Sequence, residues 1–337
     1  MSALVEADTQ VGRQWPLGIG VLSAVGKTSL VRLDHMLPEV GFTLYAKLEM
    51  LNPGGSIKDR AALGMLLDGY ARGKVGPRTT IIESSSGNLG VGLAQACRYL
   101  KLRFICVVDT RATRTNVDIL KAYGAEIHIV GEPDEAGGDL LTARINRVKQ
   151  LCATIEDSFW VNQYANVSNS HAHYQTMNEI DEALDGRVDY LFVATSTCGT
   201  LRGCREYVRA RGLKTTIVAV DAAGSVIFGQ QPQKRLIPGH GASRIPELYQ
   251  SGLEDTHLHV TDLDCVVGCL RLLRREAILA GGSSGGVVSA VAKLRDEIPA
   301  GATCVAVLCD RGERYLDTIY SEGWVEEHFG DISHLLD

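Results

Sequence analysis

The chain has 337 residues, long for one hydrophobic core and enough for two domains. Its formal net charge of −6, with no basic cluster, argues against a nucleic-acid or membrane-surface partner, and no apolar run is long enough to span a bilayer. Nine cysteines, an odd number at irregular spacing, read as reduced thiols of a cytoplasmic protein, and residues 1–14 lack the basic start and apolar stretch of a secretory signal.

Residues 44–49 alternate as a strand does, and residues 60–70 carry apolar side chains at helical spacing. Between them runs Asn52-Pro53-Gly54-Gly55-Ser56-Ile57-Lys58, so Lys58 stands where a strand gives way to a helix. The paired glycines let another molecule approach the backbone closely. A lysine so placed can form a Schiff base with a carbonyl cofactor such as pyridoxal phosphate. Taken alone, the motif is more often a solvated lysine at a helix start. Further on, strands are predicted over 79–82, 104–108, 126–130, 190–194, 216–220 and 304–308. Helices are predicted over 89–100, 116–123, 140–151, 200–211, 262–279 and 285–296, with an irregular stretch over 222–246. This alternation predicts an α/β protein with two doubly wound parallel-sheet units, dividing near residues 155–165.

Two strand–loop–helix turns have the composition of anion cradles: Glu83-Ser84-Ser85-Ser86-Gly87-Asn88-Leu89-Gly90 and Ser196-Thr197-Cys198-Gly199-Thr200-Leu201-Arg202-Gly203. Each sets small and hydroxyl residues at a helix N-terminus, where free N–H groups and the helix dipole favour an anion. One such loop is often only a helix cap; two of them beside the Lys58 turn are harder to explain that way. A third, Ala280-Gly281-Gly282-Ser283-Ser284-Gly285-Gly286, also opens a helix. Other motifs fall away. Gly26-Lys27-Thr28 lacks the glycine a phosphate-binding loop needs five residues earlier, where Val21 stands. Cys265 and Cys269, four apart on a predicted helix, have no second ligand pair, and His171 and His173 are poorly spaced for zinc. No Gly-x-Gly-x-x-Gly follows a strand, which disfavours a dinucleotide-dependent dehydrogenase.

Together these segments resemble the fold-type II pyridoxal-phosphate enzymes, the cysteine synthase and tryptophan synthase β family, from about Val25 to Leu316. The resemblance is carried by Val25-Gly26-Lys27-Thr28-Ser29-Leu30, the Lys58 turn, Ser85-Ser86-Gly87-Asn88, Asn162-Gln163-Tyr164-Ala165-Asn166, Gly282-Ser283-Ser284-Gly285 and Gly312-Glu313-Arg314-Tyr315-Leu316. Ser29 stands where the family usually has proline. Within the family, the chain is most similar to the synthases of N-(2-amino-2-carboxyethyl)-L-glutamate that serve 2,3-diaminopropionate formation, as in staphyloferrin B-type siderophore biosynthesis. That similarity rests on Val107-Val108-Asp109, Glu132-Pro133-Asp134 with Gly137-Gly138, Trp160-Val161-Asn162-Gln163-Tyr164, Gly241-Ala242-Ser243-Arg244-Ile245-Pro246 and Asp310-Arg311-Gly312. Cysteine synthases typically have glycine and an aromatic at the Ser243-Arg244 positions.

The resemblance implies that Lys58 holds pyridoxal 5'-phosphate and moves the substrate Cα proton, that Asn88 meets the cofactor's ring hydroxyl, and that Ser196, Thr197, Cys198, Gly199 and Thr200 cradle its phosphate. Ser283 would face the pyridine nitrogen, leaving it largely unprotonated, which suits prompt loss of a β-substituent. Ser85, Ser86 and Gly87, with Gln163, would grip the substrate carboxylate. The implied reaction joins O-phospho-L-serine and L-glutamate through an α-aminoacrylate intermediate and releases phosphate. A departing phosphate and a second carboxylate-rich substrate each call for a cation. Arg144 is the candidate for the first, with Tyr164 and Ser196 as neutral donors; Arg244, beside Ser243, is the candidate for the second; Arg202 and Arg205 compete. The alternatives are a cysteine synthase using sulfide, or a catalytically silent binding relative. The resemblance also implies a smaller mobile domain over 47–157, a larger cofactor-binding domain over 17–46 and 158–325, small amino-acid substrates and a homodimer.

Overall fold

The computed structural model describes residues 20–110, 112–132 and 140–336. The Glu132-Pro133-Asp134 and Gly137-Gly138 segments fall largely outside the described residues, as do residues 1–14.

Among the described residues, ten strands form two sheets. The larger contains β1 (Leu30–Arg32), β2 (Thr43–Leu48), β7 (Tyr190–Ala194), β8 (Thr216–Ala222), β9 (Thr256–Val260) and β10 (Thr303–Leu308), in the order β1-β2-β10-β7-β8-β9. Only β1 runs antiparallel to its neighbour. The smaller contains β3 (Thr80–Ser84), β4 (Phe104–Asp109), β5 (Glu126–Val130) and β6 (Ser158–Trp160), all parallel in the order β5-β4-β3-β6. Strand β2 continues to Leu48 in the larger sheet and β6 belongs to the smaller one. Each sheet therefore reaches two or three residues past the divisions expected at 46/47 and 157/158.

The described helices are α1 (Lys58–Ala71), α2 (Asn88–Leu100), α3 (Arg114–Ala122), α4 (Leu140–Thr154), α5 (Val167–Ala183), α6 (Gly199–Arg211), α7 (Asp262–Glu276), α8 (Gly282–Lys293) and α9 (Glu322–Phe329). They cover both faces of both sheets. Val266, Leu272, Val287 and Val291 of α7 and α8 pack one face of the larger sheet, while Met177, Ile180, Leu201 and Tyr207 of α5 and α6 pack the other. Ala61, Met65, Leu89 and Leu93 of α1 and α2 cover the smaller sheet on one side, and Val148 and Leu151 of α4 on the other. Strands buried on both faces lose the apolar–polar alternation of a one-sided sheet, which is why β3 and β4 are buried at every position. The architecture is the two-sheet, doubly wound α/β arrangement of the tryptophan synthase β-like fold. Cys265 and Cys269 are buried in α7, and among the described residues no cluster suited to a metal ion occurs.

Candidate active site

Parallel strands deliver their following loops to one edge of a sheet, and ligands collect at that edge. In the larger sheet β2, β10 and β7 are neighbours, so their carboxyl ends bring together the Lys58 turn, Cys309-Asp310 and the Ser196–Thr200 loop. In the smaller sheet, adjacent β3 and β6 end at Ser85–Asn88 and at Gln163-Tyr164. Backbone bonds stitch the Lys58 turn to the β10 exit: Ile57 N–H donates to Cys309 O at 2.8 Å and Arg311 N–H to Gly55 O at 3.2 Å.

The turn itself is anchored by charge. Arg60, two residues past Lys58, donates to both Glu49 oxygens at 2.7 and 2.8 Å and to both Glu179 oxygens at 2.8 and 2.7 Å. Lys47 Nζ reaches Glu179 Oε2 at 2.7 Å, and Asn52 Nδ2 reaches Glu49 Oε2 at 3.0 Å. Burial works against the Glu179 charge, but the Arg60 guanidinium and Lys47 ammonium outweigh it and hold the carboxyl down to about 2. The Gly26-Lys27-Thr28 segment serves this network too. Lys27 N–H donates to Glu179 and the Thr28 hydroxyl to Glu49, so carboxylates stand where a nucleotide phosphate would have to lie.

Part of the Lys58 surface reaches the crevice, yet protein crowds its amine closely enough that burial pushes the ammonium down from its ordinary value, against the opposing influence of Cys309, Asp310 and Cys198. Among the described residues the amine has no hydrogen-bond or ion-pair partner. Asn88 begins α2, and its Nδ2 donates to Asp310 Oδ2 at 2.8 Å while its Oδ1 accepts from Arg314. Ser283 lies in the first turn of α8, half-buried, against the Cys309 thiol, which burial and then Asp310 push up to about 12. Gly281 passes so close to Asp310 that a Cβ there would lie 2.0 Å from Oδ1.

The helix starts divide into two groups. Thr113, Asn166, Thr261 and Ser321 cap α3, α5, α7 and α9 with their side chains. The helices that open on the crevice, α1, α2, α6 and α8, have no side-chain cap at their N-cap positions. Their dipoles, and the first-turn N–H groups that neighbouring hydroxyls do not take, are thus left for an anion. At α6 the cradle is built from Thr197, left-handed Cys198 (φ 62°) and Gly199, where a Cβ would lie 2.3 Å from Asn169 Oδ1. Asn169 supports it from behind, donating to Gln163 O at 2.8 Å and Thr197 Oγ1 at 3.3 Å, while its own buried Oδ1 accepts nothing. An uncapped helix start, a glycine without room for a side chain and a nearby unpaired amine suit a phosphorylated aldehyde.

The Ser85–Gly87 loop is tied by longer, mostly neutral bonds. Ser85 Oγ accepts from Gly90 N–H at 3.1 Å and from Gly87 N–H at 3.5 Å. Arg144 NH1 reaches Ser86 Oγ at 3.4 Å and its Nε lies 3.4 Å from Asp109, with only 12% of its side chain exposed. Burial raises the Tyr164 hydroxyl above its ordinary value, and Arg144, Arg244 and Arg235 all lie near enough to pull it back. Arg244, itself exposed, stacks over the Tyr164 ring at 5.5 Å. Arg144, on the Ser86 hydroxyl, and Arg244, over the ring, thus both lie near Tyr164. Ser243 is exposed beside Arg244. Buried Gln163 accepts Asn169 through its backbone, and its N–H donates to Glu83 at 3.3 Å. Arg202 is paired with Glu206 at 2.8 Å, and Arg205 with Asp255 and the Leu253 carbonyl, so both are engaged elsewhere. A surface cleft of about 530 Å³ beside Arg98 and Tyr123 lies at the far end of α2 from Asn88 and takes no part.

Three partners were not singled out from the sequence for this site: Glu83, Asn169 and Arg314. Glu83 and Arg314 lie in motifs noted above, though neither was given a role there; Asn169 carries no sequence signal of its placement.

Residues 21–310 match the family described as pyridoxal-phosphate dependent enzyme, and the chain belongs to that family and depends on that cofactor. Among solved structures it is similar to O-ureido-L-serine synthase, at 30% identity over 90% of this chain and 95% of that one, with a TM-score of 0.83. A hydrogen sulfide-producing enzyme from Fusobacterium nucleatum matches at 29% identity over 88% and 97%, TM-score 0.82. The O-acetylserine dependent cystathionine beta-synthase from Helicobacter pylori matches at 28% identity over 89% and 98%, TM-score 0.82. Among the described residues, no helix is long and apolar enough to cross a membrane.

Proposed function

We propose that this chain catalyses a β-replacement that joins O-phospho-L-serine to L-glutamate, giving N-(2-amino-2-carboxyethyl)-L-glutamate and inorganic phosphate, a step toward 2,3-diaminopropionate. The observation that carries the reading is the pair of arginines near Tyr164, one bonded to the Ser85–Gly87 loop and the other stacked on the Tyr164 ring. One of the similar enzymes is named as dependent on O-acetylserine, a serine substituted at its side-chain oxygen, which supports the donor class.

When bound, pyridoxal phosphate supplies an aldehyde that a lysine can hold and a ring that withdraws electrons from the substrate Cα. In this reading Lys58 holds it, Asn88 and Ser283 orient the ring, and the Ser196–Thr200 loop takes the phosphate. The lowered Lys58 pKa favours a free amine, which removes the Cα proton and later returns it. The uncapped start of α2, with Ser85, Ser86, Gly87 and Gln163, binds the substrate carboxylate. The bond between Cβ and the phosphate oxygen breaks, phosphate takes the electron pair, and Arg144, with Tyr164 and Ser196, holds the departing anion. Glutamate's nitrogen then bonds to Cβ and loses a proton, its carboxylates held by Arg244 and the Ser243 hydroxyl.

The test is mass spectrometry of products formed from O-phosphoserine with a panel of amino-acid nucleophiles and sulfide. The expected result is the glutamate adduct with matched phosphate release. Preferential use of sulfide would replace this reading with the sulfur-using one. In that event the arginines have another role.

A further inference from the structure

A second cleft, of about 260 Å³, lies on the other side of the Lys58 turn. Its walls come from three segments: Pro53 to Gly55, the α3 residues Thr115 and Ile119, and Arg311 to Arg314. Gly55 has φ +86°, a conformation glycine adopts without strain. A Cβ there would meet Arg314 at 3.3 Å and Arg311 at 3.4 Å, so both guanidinium side chains crowd the same floor. Arg311 spends its Nε on Met50 O at 3.1 Å, and among the described residues its two terminal nitrogens have no partner. Arg314 donates to Gly54 O at 2.6 Å and to Asn88, leaving its Nε. The Thr115 hydroxyl adds a neutral donor, and Glu313 is the one acidic residue on the lining. Two cations, one anion and a hydroxyl line the cleft, and the Asp59 carboxyl lies buried behind Gly54, with both arginines acting on it from the cleft side. The volume lies below that of ordinary ligand pockets, which suits a single small group.

We propose that this cleft is a binding site for a small oxyanion, a phosphate or a carboxylate, with the free terminal nitrogens of Arg311 as its principal donors. The planar guanidinium fork matches two oxygens of either group. Through Arg314 the site adjoins Asn88, so its occupancy is linked to the residue that faces the cofactor in the functional reading above. The proposal does not depend on which nucleophile the enzyme uses.

Equilibrium dialysis of the holoenzyme in a zwitterionic, chloride-free buffer tests it, with labelled inorganic phosphate and labelled glutarate in separate arms. Saturable binding is expected that Arg144→Gln leaves in place and Arg311→Gln weakens about tenfold, the loss of one charge-assisted pair. Arg311→Lys, which retains the charge, should lose less than Arg311→Gln. The two arms show whether phosphate or a dicarboxylate is the preferred anion. Binding unchanged by Arg311→Gln in a protein of wild-type melting temperature, binding abolished by Arg144→Gln, or no binding of either anion would overturn the proposal.

Discussion

The turn behind Lys58 and the loop before Asn88 face each other across the crevice, and they are built on opposite principles. Behind Lys58, Arg60, Lys47, Glu49 and Glu179 balance charge for charge, almost wholly out of water, with hydrogen bonds of 2.7–2.8 Å. The Ser85–Gly87 loop hangs on longer bonds of 3.0–3.5 Å, only one of them from a charged group (Arg144), and Ser86 and Gly87 are half-exposed. A network of paired buried charges has few alternative arrangements, because any member that leaves strands its partner in low dielectric. Long, neutral bonds at a surface exchange readily with water or ligand. One side is suited to fixing a covalent tether, the other to taking and releasing substrate.

The comparison breaks most sharply at the tether. Lys58→Ala should reduce turnover by roughly a thousandfold or more. It should also abolish the cofactor adduct that borohydride reduction otherwise fixes on the chain, read by intact-protein mass spectrometry. Arg60→Ala strands two buried carboxylates and should lower unfolding free energy by about 3–5 kcal/mol in urea titrations. Glu179 gives the same network a pH signature. Its folded pKa lies below its ordinary value, so its contribution is fully present above about pH 4.5 and lost as pH falls toward 2. Glu179→Gln should flatten that acid limb.

Glu83, beneath the substrate loop, works with the opposite sign. Burial raises its carboxyl to about 7, although it accepts the Ser84 and Gln163 amides. The folded state therefore favours the protonated form, and this group's contribution to stability declines as pH rises from about 4.5 to 7. Glu83→Gln should be more stable relative to wild type at pH 8 than at pH 5, by about 2–3 kcal/mol. A difference that does not change with pH would show that Glu83 is charged throughout. The smallest effects belong to the substrate side. Arg144→Gln should raise KM for O-phosphoserine about tenfold with little change for glutamate, and Arg244→Gln the reverse. Equal shifts for both substrates in both variants would mean that the two arginines do not divide the work.

Much of this was legible in the chain. The α/β alternation, the Lys58 turn and both glycine-rich loops are local patterns, and strands β5 and β7 fall on their expected residues. What escaped has physical reasons. Helix α5 has few apolar residues in Val-Ser-Asn-Ser-His-Ala-His-Tyr, and much of its buried face is polar: Ser168, Asn169, His173 and Thr176. Strand β9, an edge strand, reads Thr-His-Leu-His-Val, with histidines where a strand signal would have apolar residues. The charge network joins Lys47 to Glu179 across 132 residues and Arg60 to Glu179 across 119, pairings that only the tertiary packing of α5 creates. Asn169, behind the phosphate cradle, reaches its place the same way.

The division between capped and uncapped helices reaches past catalysis. Four helices open on the crevice without a side-chain cap from their N-cap residues, so whatever fills it completes the fold as well as the chemistry. A ligand bound only by the native state adds about 2.7 kcal/mol at a hundred times its dissociation constant. Scarcity of the vitamin would then be felt first as shorter survival of the polypeptide against proteases, before any loss of intrinsic rate.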